Sequence, residues 1–166
     1  MHHSLPLHLR SMSEDAAASP LATLLQANPE LLETSDYHCD DDDLEELEGT
    51  LGFELPSDLA TLLRLSDGGT LRGPTRSLHL ASAEELADWA RRGLMQAFDA
   101  LPFAVDESGV MLVTDVENQW GGGKGVIYRV RTGRRAIHGQ PLQDAIRVAK
   151  TLSELFEYLA NGQDAW

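Results

Sequence analysis

The residues able to do chemistry in this chain are Cys39 with His38 beside it, a glycine-rich segment that ends in a lysine, scattered histidines and a surplus of carboxylates. A thiol nucleophile needs a base within hydrogen-bond reach and a lowered pKa. Neighbours in sequence seldom meet that geometry, and the acids around Cys39 would raise its pKa, so it reads as an ordinary thiol. Trp120-Gly121-Gly122-Gly123-Lys124-Gly125 sets a lysine among backbone N–H groups that could cradle phosphate. A phosphate loop has Gly six residues before its lysine and Ser or Thr directly after it; Asn118 and Gly125 hold those places, and a strand follows. The segment reads instead as a flexible hairpin loop, with Trp120 as either a cover for the core or an exposed aromatic anchor. His38, His79 and His138 lack metal-ligand spacing, His2, His3 and His8 lie near the start, and the EF-hand order is absent. Nothing ties two carboxylates to one cleft. The expectation is no catalytic residue, no metal and no cofactor.

What remains is charge. The 166 residues carry a formal net charge of −14, which repels phosphate backbones and anionic lipid and argues against nucleic acid or membrane as partners. Residues 1–60 hold 14 acids and one base, Arg10, whereas residues 61–166 are nearly balanced. The acidity peaks in Asp36, Asp40, Asp41, Asp42, Asp43, Glu45, Glu46 and Glu48. The run reads either as a solvated face with helix-start chemistry or, since one cap uses one aspartate and four in a row repel each other, as a surface with room for a cationic partner. Asp36, Asp40, Asp41, Asp42, Glu45, Glu48 and Trp120 are the candidate partner-binding residues. Lys124, Arg129, Arg131, Arg134 and Arg135 form a modest basic cluster that could face the acidic half within the molecule or hold an anion. The apolar stretches are shorter than the roughly 18–20 residues of a membrane span, no secretory signal pattern is present, and a lone cysteine fits a reducing cytoplasm. Residues 1–19 read as a disordered extension or a false start, with Met12 as the first residue, and residues 20–166 as a single domain.

Hydrophobic periodicity supplies the elements that must position these residues. Ser19-Pro20 opens a helix over 20–27. Leu44, Leu47 and Leu51 mark a helix over 44–51 with Asp43 as N-cap and Glu46 completing a capping box, stopped by Gly52. Leu55-Pro56-Ser57-Asp58 opens a third over 57–66 with Leu59, Leu62, Leu63 and Leu65 inward, ended by Asp67-Gly68-Gly69. Ser82 with Glu85 caps a fourth over 83–96 that buries Leu86, Trp89 and Ala90. From Leu101 the period falls from 3.6 to 2: strands at 103–105, 110–116 and 126–131, the last with Val126, Tyr128 and Val130 on one face, and edges at 136–138 and 146–149. Thr151 with Glu154 caps a closing helix over 152–160. Helices first, then strands, then a helix predict an α+β fold: N-terminal helices, a central antiparallel twisted sheet and a C-terminal helix.

Leu44-Glu45-Glu46-Leu47-Glu48, Leu51-Gly52, Leu55-Pro56, Leu59, Leu62-Leu63 and Asp67-Gly68-Gly69 resemble the opening of the SUKH superfamily. That superfamily includes Smi/Knr type regulators of fungal cell-wall assembly and many bacterial immunity proteins. Leu101-Pro102-Phe103-Ala104 with Asp106 and Gly109, then Val126-Ile127-Tyr128, then Val148-Ala149 with Thr151-Leu152, Glu154-Leu155 and Phe156, resemble its later strands and closing helix in the same order. Thr151-Leu152 departs from the usual Ser-Phe, an aspartate stands before Gly68-Gly69 where Asn is common, and residues 1–43 lie outside the pattern. The resemblance implies a cytoplasmic, non-catalytic protein-binding module. On that basis the chain is an immunity protein whose partner is a cognate basic toxin, such as a nuclease. A regulatory module of the cell-wall type is the alternative, and an enzyme resting on Cys39 and unassigned carboxylates comes third.

Overall fold

The structure, a computed structural model, describes residues 19–93, 100–131, 145–164 and 166. The expectations for residues 1–18, for the helix end at 94–96, for an edge at 136–138, and for His138, Arg134 and Arg135 fall outside them.

Helix α1 (Pro20–Ala27) starts where Ser19 Oγ accepts the Ala22 N–H at 3.1 Å, with Pro20 in the first turn where a missing N–H costs nothing. Helix α2 (Asp41–Leu51) begins earlier than its leucine spacing predicts. Its N-cap is Asp40, not Asp43: Asp40 Oδ1 accepts the Asp43 N–H at 2.8 Å, and Asp43 Oδ2 accepts the Asp40 N–H at 3.0 Å. Carboxylates in a first turn face the positive end of the helix dipole, so the aspartates extend the helix rather than precede it. Gly52 closes it in the left-handed conformation.

Helix α3 (Ser57–Leu65) buries Leu59, Leu62, Leu63 and Leu65. Helix α4 (Ala83–Arg91) opens on the reciprocal Ser82–Glu85 box. It buries Leu86 as expected, with Ala87 beside it, while Trp89 packs against the core half-buried and Ala90 is half-buried. Helix α5 (Leu152–Ala160) opens where Thr151 Oγ1 accepts the Glu154 N–H; the Glu154 carboxylate takes the Lys150 N–H instead of closing the box.

Among the described residues, seven strands form one antiparallel sheet in chain order: β1 (Leu32–Thr34), β2 (Gly69–Arg72), β3 (Ser77–Leu80), β4 (Leu101–Val105), β5 (Val110–Thr114), β6 (Ile127–Arg131) and β7 (Ile146–Ala149). The architecture is the expected α+β, helices at both ends of the chain, but the sheet begins at residue 32 rather than 101. One face carries Leu71, Leu78, Phe103, Leu112 and Ile127 against Leu21, Leu63, Leu86, Leu155 and Phe156 of the helices. The opposite face holds Met111, Val113, Tyr128 and Val130 with Val126 and Trp120, so Val126, Tyr128 and Val130 do share a side. A bulge between Pro102 and Ala104 puts Phe103 and Ala104 into the same cluster despite the period of 2. Trp166 also packs into the helix-side cluster, over Gly73 in the β2–β3 turn.

Two glycines separate backbone need from convenience. Gly69 has φ 131°, and a Cβ there would run into the Glu33 carbonyl of β1. Gly49 lies in α2 with no atom within 4 Å of a Cβ. Gly69→Ala should therefore destabilise by about 2 kcal/mol or more, and Gly49→Ala should stabilise by about 0.5–1 kcal/mol. Urea denaturation of the two variants checks both signs.

Candidate functional site

The segment that leads into α2 is clamped to the end of α3. Ser66 Oγ accepts the Ser35 N–H at 2.8 Å and donates to the Gly68 carbonyl, the Asp67 N–H donates to the Tyr37 carbonyl at 2.8 Å, and the Cys39 N–H donates to the Leu63 carbonyl at 2.9 Å. That clamp fixes Asp36 and presents Tyr37, which is 75% exposed. Tyr37 is an aromatic surface residue the sequence reading does not single out.

The ten carboxylates between residues 36 and 58 divide by what they bond. Asp40 and Asp43 cap α2. Glu48 accepts the Leu55 N–H at 2.6 Å and so holds the α2–α3 connection. Asp58 accepts the Ser153 N–H and hydroxyl at the start of α5, 3.1 and 2.9 Å away. Asp41 pairs with Arg64 of α3 at 2.8 Å. Asp36, Asp42, Glu45, Glu46 and Glu54 make no side-chain bond among the described residues. Of the candidate partner-binding residues, then, Asp40 and Glu48 also serve the fold, Asp41 has one cation, and Asp36, Asp42 and Glu45 are uncommitted. Asp41, Glu45 and Glu48 fall at i, i+4 and i+7, one stripe along the helix toward residues 53–55. Lys124, Arg129 and Arg131 make no ion pair with this segment among the described residues, whereas Arg64 does; Lys124 shares a pocket lining with Glu54 and Asp58.

The seventh candidate, Trp120, is 9% exposed, its ring centroid 4.6 Å from that of Tyr128 and tilted by 57°. It covers the second cluster. The sequence reads its loop as flexible, whereas the structure builds it around Asp115, a fully buried carboxylate. Oδ1 accepts the Gln119 N–H at 2.8 Å, Oδ2 accepts the Trp120 N–H at 3.0 Å, and the Asp115 carbonyl takes the Gly125 N–H at 2.8 Å. Gly122 lies against the Tyr128 hydroxyl, where a Cβ would not fit. Between this loop, the α2–α3 connection and the start of α5 lies a pocket of about 490 Å³ lined in part by Phe53, Glu54, Val116, Glu117 and Lys124.

Neither thiol nor turn carboxylate looks catalytic. Burial, followed by the nearby charge of Asp67, Asp43 and Asp40, pushes the Cys39 thiol from an ordinary 9.0 up to about 12. Burial works to raise the Asp106 carboxyl, but bonds from the Ser108 hydroxyl and the Val110 and Ser108 N–H groups, with Arg76 beyond, hold it below its usual range. Those bonds make Asp106 the organiser of the β4–β5 turn. Among the described residues no group of three His, Cys, Asp or Glu side chains could hold a metal ion. No described helix is long and apolar enough to cross a membrane.

A folded thiol at about 12 against an unfolded one near 9.0 means that the unfolded state loses its proton first as pH rises. The stability tied to Cys39 is whole below pH 9 and declines through that window, by up to about 1.4 kcal/mol per pH unit. Equilibrium unfolding of the wild type and Cys39→Ala from pH 8 to 10.5 should show the steeper loss in the wild type. Removing the buried anchor of the loop, Asp115→Ala, leaves the buried Trp120 N–H and the part-buried Gln119 N–H without their acceptor and should destabilise by roughly 1–3 kcal/mol, read as a lower urea midpoint.

No curated protein matches the chain. Residues 38–158, from the clamped segment through nearly all of α5, match the SMI1 / KNR4 family (SUKH-1). The match takes in the acidic helix, the buried-carboxylate loop and the capped closing helix alike, and the chain belongs to that family.

Proposed function

We propose that this chain is a non-catalytic protein-binding module that acts in the cytoplasm as an immunity protein, neutralising a cognate basic toxin such as a nuclease. Membership of the SMI1 / KNR4 family supports protein binding in general. The observation that carries the finer reading is the uncommitted charge at the start of α2. After every cap and ion pair is assigned, Asp36, Asp42, Glu45 and Glu46 remain exposed, and Asp36 is followed directly by the exposed Tyr37. Nuclease surfaces are cationic where they meet phosphate, and a surface of opposite sign accelerates encounter and rejects other anions. An exposed tyrosine beside the charges adds the amphipathic contact typical of interface hot spots.

The direct test looks for a toxin gene next to this one in the native genome and co-expresses its product with the chain. The chain should restore growth and co-purify with the toxin in a fixed ratio, whereas no complex and no rescue would refute the proposal. The charge prediction spares the capping pair Asp40 and Asp43. Asp36→Asn, Asp42→Asn and Glu45→Gln together should slow association with that toxin on the order of ten-fold at low ionic strength. The difference should shrink as salt screens it, and the urea midpoint should hold. Stopped-flow rates across a salt series decide it; equal rates at every salt would move the docking surface elsewhere.

A further inference from the structure

The acidic stripe of α2 ends at the pocket. Glu48, its last member, bonds the backbone N–H of Leu55, and Leu55 lines the cavity together with Phe53, Phe103, Val116 and Ile127. About 490 Å³ lies within the range of sites that enclose a ligand or a large inserted side chain. Polar groups interrupt the apolar lining: Ser57 and Thr151 at the starts of α3 and α5, and Thr114 on β5. Thr114 is only 4% exposed, and its hydroxyl makes no hydrogen bond among the described residues. At the rim, Glu54 stands on the α2–α3 connection and Glu117 on the β5–β6 loop, against a single cation, Lys124. Asp58, also in the lining, is already taken by Ser153.

This chemistry disfavours an anion. At the start of α5 the Ser153 and Glu154 N–H groups are taken by Asp58 and Thr151; the first turn of α3, which also lines the pocket, has no side-chain cap, but its own Asp58 carboxylate stands there, and with Glu54 and Glu117 the carboxylates of the lining outnumber the lysine. It suits an apolar side chain flanked by positive charge. We infer that the pocket receives one leucine-sized or aromatic side chain from a basic protein partner, with a neighbouring lysine or arginine held between Glu54 and Glu117. This rests on the protein-binding reading above and gives it an anchor: the stripe steers the partner, and the pocket fixes its register. Burial of one such side chain is worth on the order of ten- to a hundred-fold in affinity.

The test needs no toxin. The probes are acetyl-Lys-Trp-Lys-amide and acetyl-Glu-Trp-Glu-amide, titrated into the isotope-labelled full chain and followed by amide NMR. The lysine peptide should give saturable shifts at Phe53, Leu55, Thr114 and Ile127, and the glutamate peptide should bind at least five-fold more weakly. Glu54→Gln with Glu117→Gln should cut that preference by three-fold or more while leaving the spectrum otherwise native. Val116→Trp should fill the cavity and abolish the shifts; if that variant does not fold, the glutamine pair alone decides. No shifts at the pocket would overturn the proposal, and so would equal binding of the two peptides, the mark of a general apolar or small-molecule site. A chain that binds the lysine peptide but fails to rescue cells refutes neutralisation and leaves the pocket standing. Rescue without peptide binding does the reverse.

Discussion

Strand β5 has no side that faces water: Val110 through Thr114 are all buried. Antiparallel sheets commonly leave one face solvated, but here the centre of the sheet must be covered twice. Helices provide the first cover, over Leu112 and its neighbours. The second falls to the loop that leaves β5 itself, which must turn back so that Trp120 lies on Tyr128 beside Met111 and Val113. A loop folded against a core cannot leave its N–H groups to solvent, and a buried carboxylate cannot stand unbonded. Asp115 meets both demands at once by accepting from Gln119 and Trp120. Asn118 and Gly121, Gly123 and Gly125 supply the positive φ values that the reversal needs.

The helical cover imposes the second demand, because each helix start carries N–H groups without intrahelical partners. The chain meets it largely with acids, and some act at long range. Asp67, just past the end of α3, accepts the Ala83 N–H at the start of α4, 2.7 Å away. Asp58, in the first turn of α3, reaches residue 153 at the start of α5. Each carboxylate thus fixes the angle between two helices as well as satisfying a donor. The strongly negative composition is therefore only partly a surface property. Assigning these structural acids is what isolates the uncommitted group around α2.

Element ends with strong local chemistry were legible in the sequence. Pro20 with Asn28-Pro29 bounds α1, and Thr151 with Asn161-Gly162 bounds α5, because caps and breakers act within one turn of themselves. The start of α2 was misplaced because leucine spacing marks where a helix meets the core, not where its backbone bonds begin. Strands β1, β2 and β3 were missed: three or four residues offer too few alternations to establish a period of 2, and β2 opens on Gly69, a residue that ordinarily signals a turn. The candidate surface was legible as charge but not as geometry. Neither the exposure of Tyr37 nor the burial of Trp120 follows from residue type. The pocket draws on the connection before α3, on β4, β5 and β6 and on the start of α5, segments that only the tertiary fold brings together.

Placing the charge on a helix N-terminus reconciles recognition with stability. Asp41, Asp42 and Asp43 lie side by side and repel one another, yet they stand where the helix carries roughly half a positive charge, and Arg64 of α3 offsets one of them. The same cluster at the C-terminal end of α2 would meet the negative pole and weaken the helix. The dipole does not cancel the cluster, since half a charge cannot neutralise three, so a net negative field still extends from the first turn. Its reach is about a Debye length, roughly 8 Å at physiological salt, which covers much of an 11-residue helix rising about 1.5 Å per residue. On the proposed reading, a cationic partner drawn to the first turn would next meet Glu45 and Glu48 of the stripe. The field sets how fast partners arrive, but it cannot distinguish one cation from another; that discrimination needs shape, and shape along this stripe is found where α2 ends.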